Sequence, residues 1–221
     1  MQFLFFQSKN EIYECLIERL NKTSQYSQKE SKNIMISAGE TIENFFRFCA
    51  ENKLNKESSL RFWLTDERLS KNRSHSNLSK LSRIREKLRL NFSINGQNYN
   101  GSFTKMVSEY NKVMSGLKND ISLAILSIAE DGHIASLSSP YSRYKRFSDK
   151  NVISISSKNF HPAKRLTLTP EFILSIDRVI LLASNEKKFL TFFNLLLADQ
   201  YPLNFDSLVN SKVEILVNKG N

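Results

Sequence analysis

The feature that most constrains this chain is the stretch from Ile121 to Pro140, ISLAILSIAEDGHIASLSSP. Nine residues, Ile121 to Ala129, run without a charge and then break into Glu130-Asp131-Gly132-His133. The run shows no clean alternation of apolar and polar residues, so both of its faces are expected to be buried. That suits a central strand of a parallel sheet. A buried helix segment has the same composition. The shortness of the run, its Ile and Leu content and its ending at a glycine favour the strand. A charged turn at the carboxyl end of a buried strand is where open α/β sheets place their ligand chemistry. His133 stands two residues from Asp131, across a glycine that permits a sharp turn.

The rest of the chain supports a sheet with helices on both sides. Strand patterns occur at Gln2–Phe6, Asn33–Ser37, Leu60–Thr65, Val152–Ile155, Arg165–Thr169, Arg178–Ala183 and Lys212–Val217. Helical spacing occurs at Glu11–Leu20, Ile42–Ala50, Ser74–Leu90, Phe103–Leu117 and Lys187–Ala198. Pro170 opens a short helix at its first position. The polar segment Thr23–Lys32 is expected to be a loop, and Asn91–Gly101, with its Asn95-Gly96 pair, a turn region with a small hairpin. Strand and helix patterns alternate about seven times, which calls for a three-layer α/β/α fold around a mainly parallel sheet. No internal repeat and no clear boundary divides residues 1–221, so one domain is expected.

The formal net charge is +10, which raises the question of a nucleic-acid partner. The basic residues are spread along the whole chain and form no tail or tight block, which argues against that class and fits a lysine-rich surface or attraction of small anions. Cys15 and Cys49 lie in separate helical stretches with no ligand spacing around them, so two reduced thiols in a cytoplasmic protein are expected, with no metal. No apolar run approaches the ~20 residues of a membrane helix, and the start, MQFLFFQSKNEI, lacks the basic region of a signal peptide.

Three stretches carry candidate chemistry. Ser37-Ala38-Gly39-Glu40-Thr41 joins a strand to a helix start, where free N–H groups and the helix dipole favour an anion; Thr41 is equally suited to be a plain N-cap. Asp66-Glu67-Arg68 ends the next strand, as a second site or as a solvated turn with a local ion pair. The Glu-Asp-Gly-His turn is the third. There His133 is either a general base or a residue that caps the strand turn.

These stretches, taken together, resemble the 6-phosphogluconolactonases. EDGHIASL at Glu130–Leu137 resembles the signature of that family. Three further blocks occur in the family's order: MISAGET at Met35–Thr41, FWLTDERLS followed by SHSNLSKL, and RLTLTPEFI followed by VILLASNEKK. The four span roughly Ile34 to Lys188. The wider superfamily includes glucosamine-6-phosphate deaminase, which typically has Tyr after Asp-Glu and Phe-Asn-Glu-Pro after the His-Ile-Ala; here Arg68 and Ser136-Leu137 stand in those places. The resemblance implies a modified Rossmann-like fold and hydrolysis of a phosphorylated sugar lactone in the oxidative pentose phosphate pathway, with no cofactor. It implies His133 as the base that deprotonates water, Asp131 holding or polarising it, and Ser37, Gly39, Thr41 and Arg68 holding the phosphate, with Lys158 and Arg165 as further anion contacts. In an isomerase or deaminase of the same superfamily, Asp66 would act as the ring-opening or enolising base. The chain departs from the family at Ala38 and Glu40 in the phosphate loop, at Ser127-Ile128-Ala129 before the signature and at Asn185, which leaves a sugar-phosphate-binding protein without turnover as a third reading. A monomer or a homodimer fits all three.

Overall fold

The uncharged run is a strand, Ile121–Ser127, in the middle of a seven-stranded sheet. The computed structural model describes residues 1–26, 32–52, 59–99, 101–210 and 212–220. Numbered in chain order, the strands are β1 (Gln2–Phe6), β2 (Lys32–Ile36), β3 (Leu60–Leu64), β4 (Asp66–Arg68), β5 (Ser93–Asn95), β6 (Ile121–Ser127), β7 (Val152–Ser156), β8 (Lys164–Leu168), β9 (Val179–Ala183) and β10 (Val213–Asn218). The helices are α1 (Lys9–Tyr26), α2 (Glu40–Glu51), α3 (Asn77–Lys87), α4 (Phe103–Leu117), α5 (Pro170–Leu174), α6 (Glu186–Leu197) and α7 (Phe205–Asn210).

The large sheet runs in the order β1-β10-β9-β6-β2-β3-β5, and every neighbouring pair is parallel. Side chains alternate between its faces. Leu123 and Ile125 of β6 join Ile34 and Ile36 of β2 in one apolar cluster, with Leu16 of α1, Phe45 and Phe46 of α2 and Leu81 of α3. Ala124 and Leu126 join Met35 in the other, with Met106 and Tyr110 of α4, Phe172 of α5 and Phe192 of α6. A strand covered on both faces has no wet side to show in its sequence. That is the physical cause of the unbroken apolar run, and each fully buried Leu or Ile contributes about 1.5–3 kcal/mol.

Several expectations are corrected. The alternation of elements predicts one sheet, but β4, β8 and β7 form a second, three-stranded antiparallel sheet. Only a short segment without a helix joins β7 to β8, too little chain for a parallel crossover, so the two strands fold back on each other. The expected hairpin at Asn91–Gly101 is absent: β5 instead adds to the edge of the large sheet, parallel to β3. α1 continues to Tyr26, six residues beyond the expected end, and the remainder of the expected 23–32 loop lies largely outside the described residues. The helix expected from Ser74 begins at Asn77, because the Ser76 hydroxyl accepts the Ser79 N–H (3.1 Å) and fixes the start there. A short 3₁₀ turn, Arg73–His75, precedes it.

Candidate active site

The order of the large sheet reverses between β2 and β6. From β2 the chain builds outward through β3 and β5, and from β6 outward the other way through β9 and β10. Ligands of open α/β sheets bind outside the carboxyl ends of the strands at such a switch point. Ser37 follows β2 there. It is buried, and its Oγ accepts the Ser127 N–H at 2.9 Å, tying the ends of β2 and β6 together. Gly39 is the N-cap residue of α2 and supplies no side-chain cap; a Cβ added to it would meet nothing within 4 Å. Thr41 is therefore not the N-cap but lies in the first turn of α2, whose first backbone bond runs from Glu43 N–H to Gly39 O. Glu40 opens the helix and is exposed, and its charge helps to push the Tyr13 phenol up, behind the larger effect of burial.

β4 extends β3 by a turn into the small sheet. Asp66 and Glu67 are 5% and 2% exposed, so the reading of this stretch as a solvated turn fails. Glu67 faces away from the sheet opening. Its carboxylate accepts the N–H groups of Arg68 (2.7 Å), Asn77 (2.7 Å) and Leu78 (2.9 Å) and the Ser76 hydroxyl (3.0 Å). It thus ties β4 to the start of α3, where the helix dipole favours a negative charge. Burial pushes this carboxyl up, and the four donors pull against that. Asn77 completes the knot: its Nδ2 donates to Asp66 O (3.0 Å), and its Oδ1 accepts from Arg68 Nη1.

Directly opposed residues of an antiparallel pair share a face, and so do residues two apart. Asp66 pairs with Thr167 and Arg68 with Arg165, so these four side chains lie on one face of the small sheet. Arg165 is buried and donates to the carbonyls of Pro162 and His161, both at 3.0 Å. Burial, and then the neighbouring Arg68, hold its guanidinium below the usual arginine range. Arg68 Nη1 also reaches His75 O at 3.4 Å, and its Nε is buried without a partner. Two adjacent guanidiniums with unused donors are a place for a doubly charged anion.

The signature loop docks onto the same face. Ser136 Oγ donates to Asp66 Oδ2 at 2.7 Å, and Ser136 N–H to Thr167 Oγ1 at 3.4 Å. At the other end of the loop Gly132 has φ 83°, and a side chain there would overlap Leu195 Cδ1 of α6, so the turn admits glycine alone. The sharp turn brings His133 Nδ1 within 2.6 Å of Asp131 Oδ1. The bond to His133 holds the Asp131 carboxyl below the usual range. With Nδ1 engaged as the donor, Nε2 is the nitrogen left to accept a proton. The Phe160 ring lies 5.3 Å from the His133 ring and 5.2 Å from the Arg165 guanidinium carbon, bridging the two.

The structure therefore gathers His133, Asp131, Asp66, Arg68 and Arg165 around one face. Lys158 is exposed on the segment between β7 and β8, two residues before Phe160. Ser37, Gly39 and Thr41 sit at the switch point and are linked to the signature loop through Ser127. Sequence reasoning missed the roles of Glu67, Asn77, Ser136, Phe160 and Thr167. The Ser76-Asn77 helix start was the visible signal for the first two. Among the described residues no group of three His, Cys, Asp or Glu side chains is placed to hold a metal ion, and no helix is long and apolar enough to cross a membrane.

Comparison with known proteins adds a family. No curated protein sequence matches the chain at a significant level. Solved structures do: a 6-phosphogluconolactonase from Plasmodium vivax (TM-score 0.78, 18% identity, 99% of this chain and 91% of that one) and one from Thermotoga maritima (0.74, 17%, 99% and 99%). A monomeric glucosamine-6-phosphate deaminase also aligns (0.70, 18%, 99% and 97%). These likenesses establish the shared fold. Residues 7–208 match the family described as glucosamine-6-phosphate isomerases/6-phosphogluconolactonase, and to that family this chain belongs.

Proposed function

We propose that the protein hydrolyses 6-phosphogluconolactone to 6-phosphogluconate. The observation that carries this is the docking of the signature loop, with its His133–Asp131 pair, onto the face that holds Arg68 and Arg165. Dianionic phosphate binds between the two guanidiniums, with Lys158 closing from the exposed segment and the Ser37–Thr41 turn offering further donors. The lactone ring then reaches toward Phe160 and His133.

His133 Nε2 takes a proton from water as the water oxygen bonds to the lactone carbonyl carbon. Asp131 holds the ring in the tautomer that leaves Nε2 free, and stabilises the imidazolium that forms. The Gly132 backbone or a nearby cation stabilises the oxyanion. Collapse breaks the bond from the carbonyl carbon to the ring oxygen, and the imidazolium returns its proton to that oxygen, giving the hydroxyl and the open-chain acid. Such positioned proton transfer contributes about 10²–10⁴-fold. Asp66 takes no proton in this scheme; it anchors Ser136. Two free thiols, Cys15 and Cys49, support a reducing, cytoplasmic setting.

The test is His133→Ala in a lactone-hydrolysis assay with the spontaneous rate subtracted. A drop of about 10²-fold or more is expected, and unchanged turnover would remove His133 from the mechanism. Ammonia release from glucosamine 6-phosphate by the wild type would instead favour the deaminase reading, with Asp66 as the base.

A further inference from the structure

The basic segment Tyr141–Lys150 has no part in the chemistry above. It carries Arg143, Lys145, Arg146 and Lys150 against one acid, Asp149. With β7 it encloses a separate groove of 520 Å³, within the usual range for a small-molecule site. The floor is apolar: Tyr144, Phe147 and Ile155. One wall carries Arg143 and Arg146, both exposed. The other is Ser154 to Ser157, on the strand at the edge of the small sheet. None of the lining residues among those described is acidic.

The groove is built rather than incidental. Tyr144 is buried, and its hydroxyl accepts the Ser138 N–H and donates to Ser138 O, both at 2.9 Å. That clamps the start of the basic segment. Arg143 Nη1 reaches Ser138 Oγ at 3.5 Å, and the Arg146 guanidinium stacks over the Phe147 ring at 4.7 Å. Each contact orients its guanidinium and leaves most of its donors unused. Ser157 is fixed in turn, its N–H on Ala163 O at 3.0 Å.

Oriented guanidiniums select an anion, a row of hydroxyls suits a partner rich in hydroxyls, and an aromatic floor suits the apolar face of a sugar ring. We propose that this groove is a second binding site, for a phosphorylated, hydroxyl-bearing small molecule whose phosphate lies between Arg143 and Arg146. It is distinct from the Arg68–Arg165 pair and does not depend on the reaction proposed above.

The experiment is an amide-resolved NMR titration of the full chain at fixed ionic strength. The probes are glucose 6-phosphate, unphosphorylated glucose and inorganic phosphate. Glucose 6-phosphate is expected to shift the amides of Ser154, Ser156 and Ser157 saturably, inorganic phosphate more weakly, and glucose not at all. In the Arg143→Ala/Arg146→Ala double variant those shifts should weaken about tenfold or more in affinity, while any shifts at Asn77 and His133 remain. Both arginines are exposed, so the variant keeps its fold and its amide spectrum shows it. The proposal is overturned if the double variant responds like the wild type, if shifts appear only around Arg68 and His133, if no probe binds at residues 154–157, or if the response is spread over surface lysines with the steep salt dependence of a polyanion site.

Discussion

Gly132→Ala tests whether the sharp turn of the signature loop places the His133–Asp131 pair. Two costs add. At φ 83° an alanine lies in the left-handed region, at about 1–2 kcal/mol. Its methyl also overlaps Leu195 Cδ1, and such overpacking costs about 1–3 kcal/mol if α6 and the loop must separate. The expected loss, read from urea unfolding, is about 2–4 kcal/mol. The two costs can be split. Leu195→Ala removes the obstacle, so in the Gly132→Ala/Leu195→Ala protein the two substitutions should cost less than their sum by about 1–2 kcal/mol. The backbone cost stays, and with it the displaced imidazole. Lactone hydrolysis should therefore be low in Gly132→Ala and remain low in the double variant. Strict additivity of the stabilities would refute the packing argument. Full activity in Gly132→Ala would refute the claim that this turn sets the catalytic pair.

Three further outcomes are expected. Asp131→Asn should lower kcat by about 10²-fold, because the imidazole loses the group that fixes its tautomer. The Asp131 carboxyl is held below its ordinary value in the fold, so its contribution to stability is complete above the unfolded carboxylate value and is lost as pH falls through the folded one; the variant should show a flatter loss of stability below about pH 4, by a small amount because the carboxyl is 57% exposed. Asn77→Ala should cost about 2–3 kcal/mol in urea unfolding, since Asp66 O and Arg68 each lose a partner, and should raise KM more than it lowers kcat. Burial alone pushes the Cys49 thiol up to about 12, so in the native protein an alkylating reagent should modify Cys15 well before Cys49, with equal reactivity in denaturant.

The parts of this fold legible in the sequence are those where one strand's own surroundings decide its composition. β6 and β9 are covered on both sides, so their runs are apolar throughout, and the Glu-Asp-Gly-His turn is visible because it interrupts such a run. β5 was hidden for the opposite reason. Its three residues are half-buried at a sheet edge, and its Asn95-Gly96 pair has the composition of a hairpin turn. The Asn95 side chain is instead held by Phe62 O, at 3.2 Å, and by Ser93 Oγ. β4 was hidden because charged residues at a strand end read as solvent-exposed. Asp66 and Glu67 are buried only because donors from distant segments meet them, Ser136 from seventy residues away.

That last case bears on how the site is assembled. A buried carboxylate without donors would lose its charge or the fold, so the surroundings of Asp66 and Glu67 are conditions for β4 to exist in its place. Glu67 fixes β4 to α3, and Asp66 fixes it to the signature loop; the residue between those two anchors and the register with β8, Arg68, then has no choice but to stand beside Arg165. The like charges repel, and the small sheet holds them together through backbone pairing and the carbonyls of His75, His161 and Pro162. Energy stored in that arrangement is released when an anion enters between them. On this reasoning the carboxylates of the Asp-Glu-Arg stretch need not touch the substrate at all: their work is to hold two cations in a place that neither would occupy alone, facing the imidazole that Asp66 helps to position through Ser136.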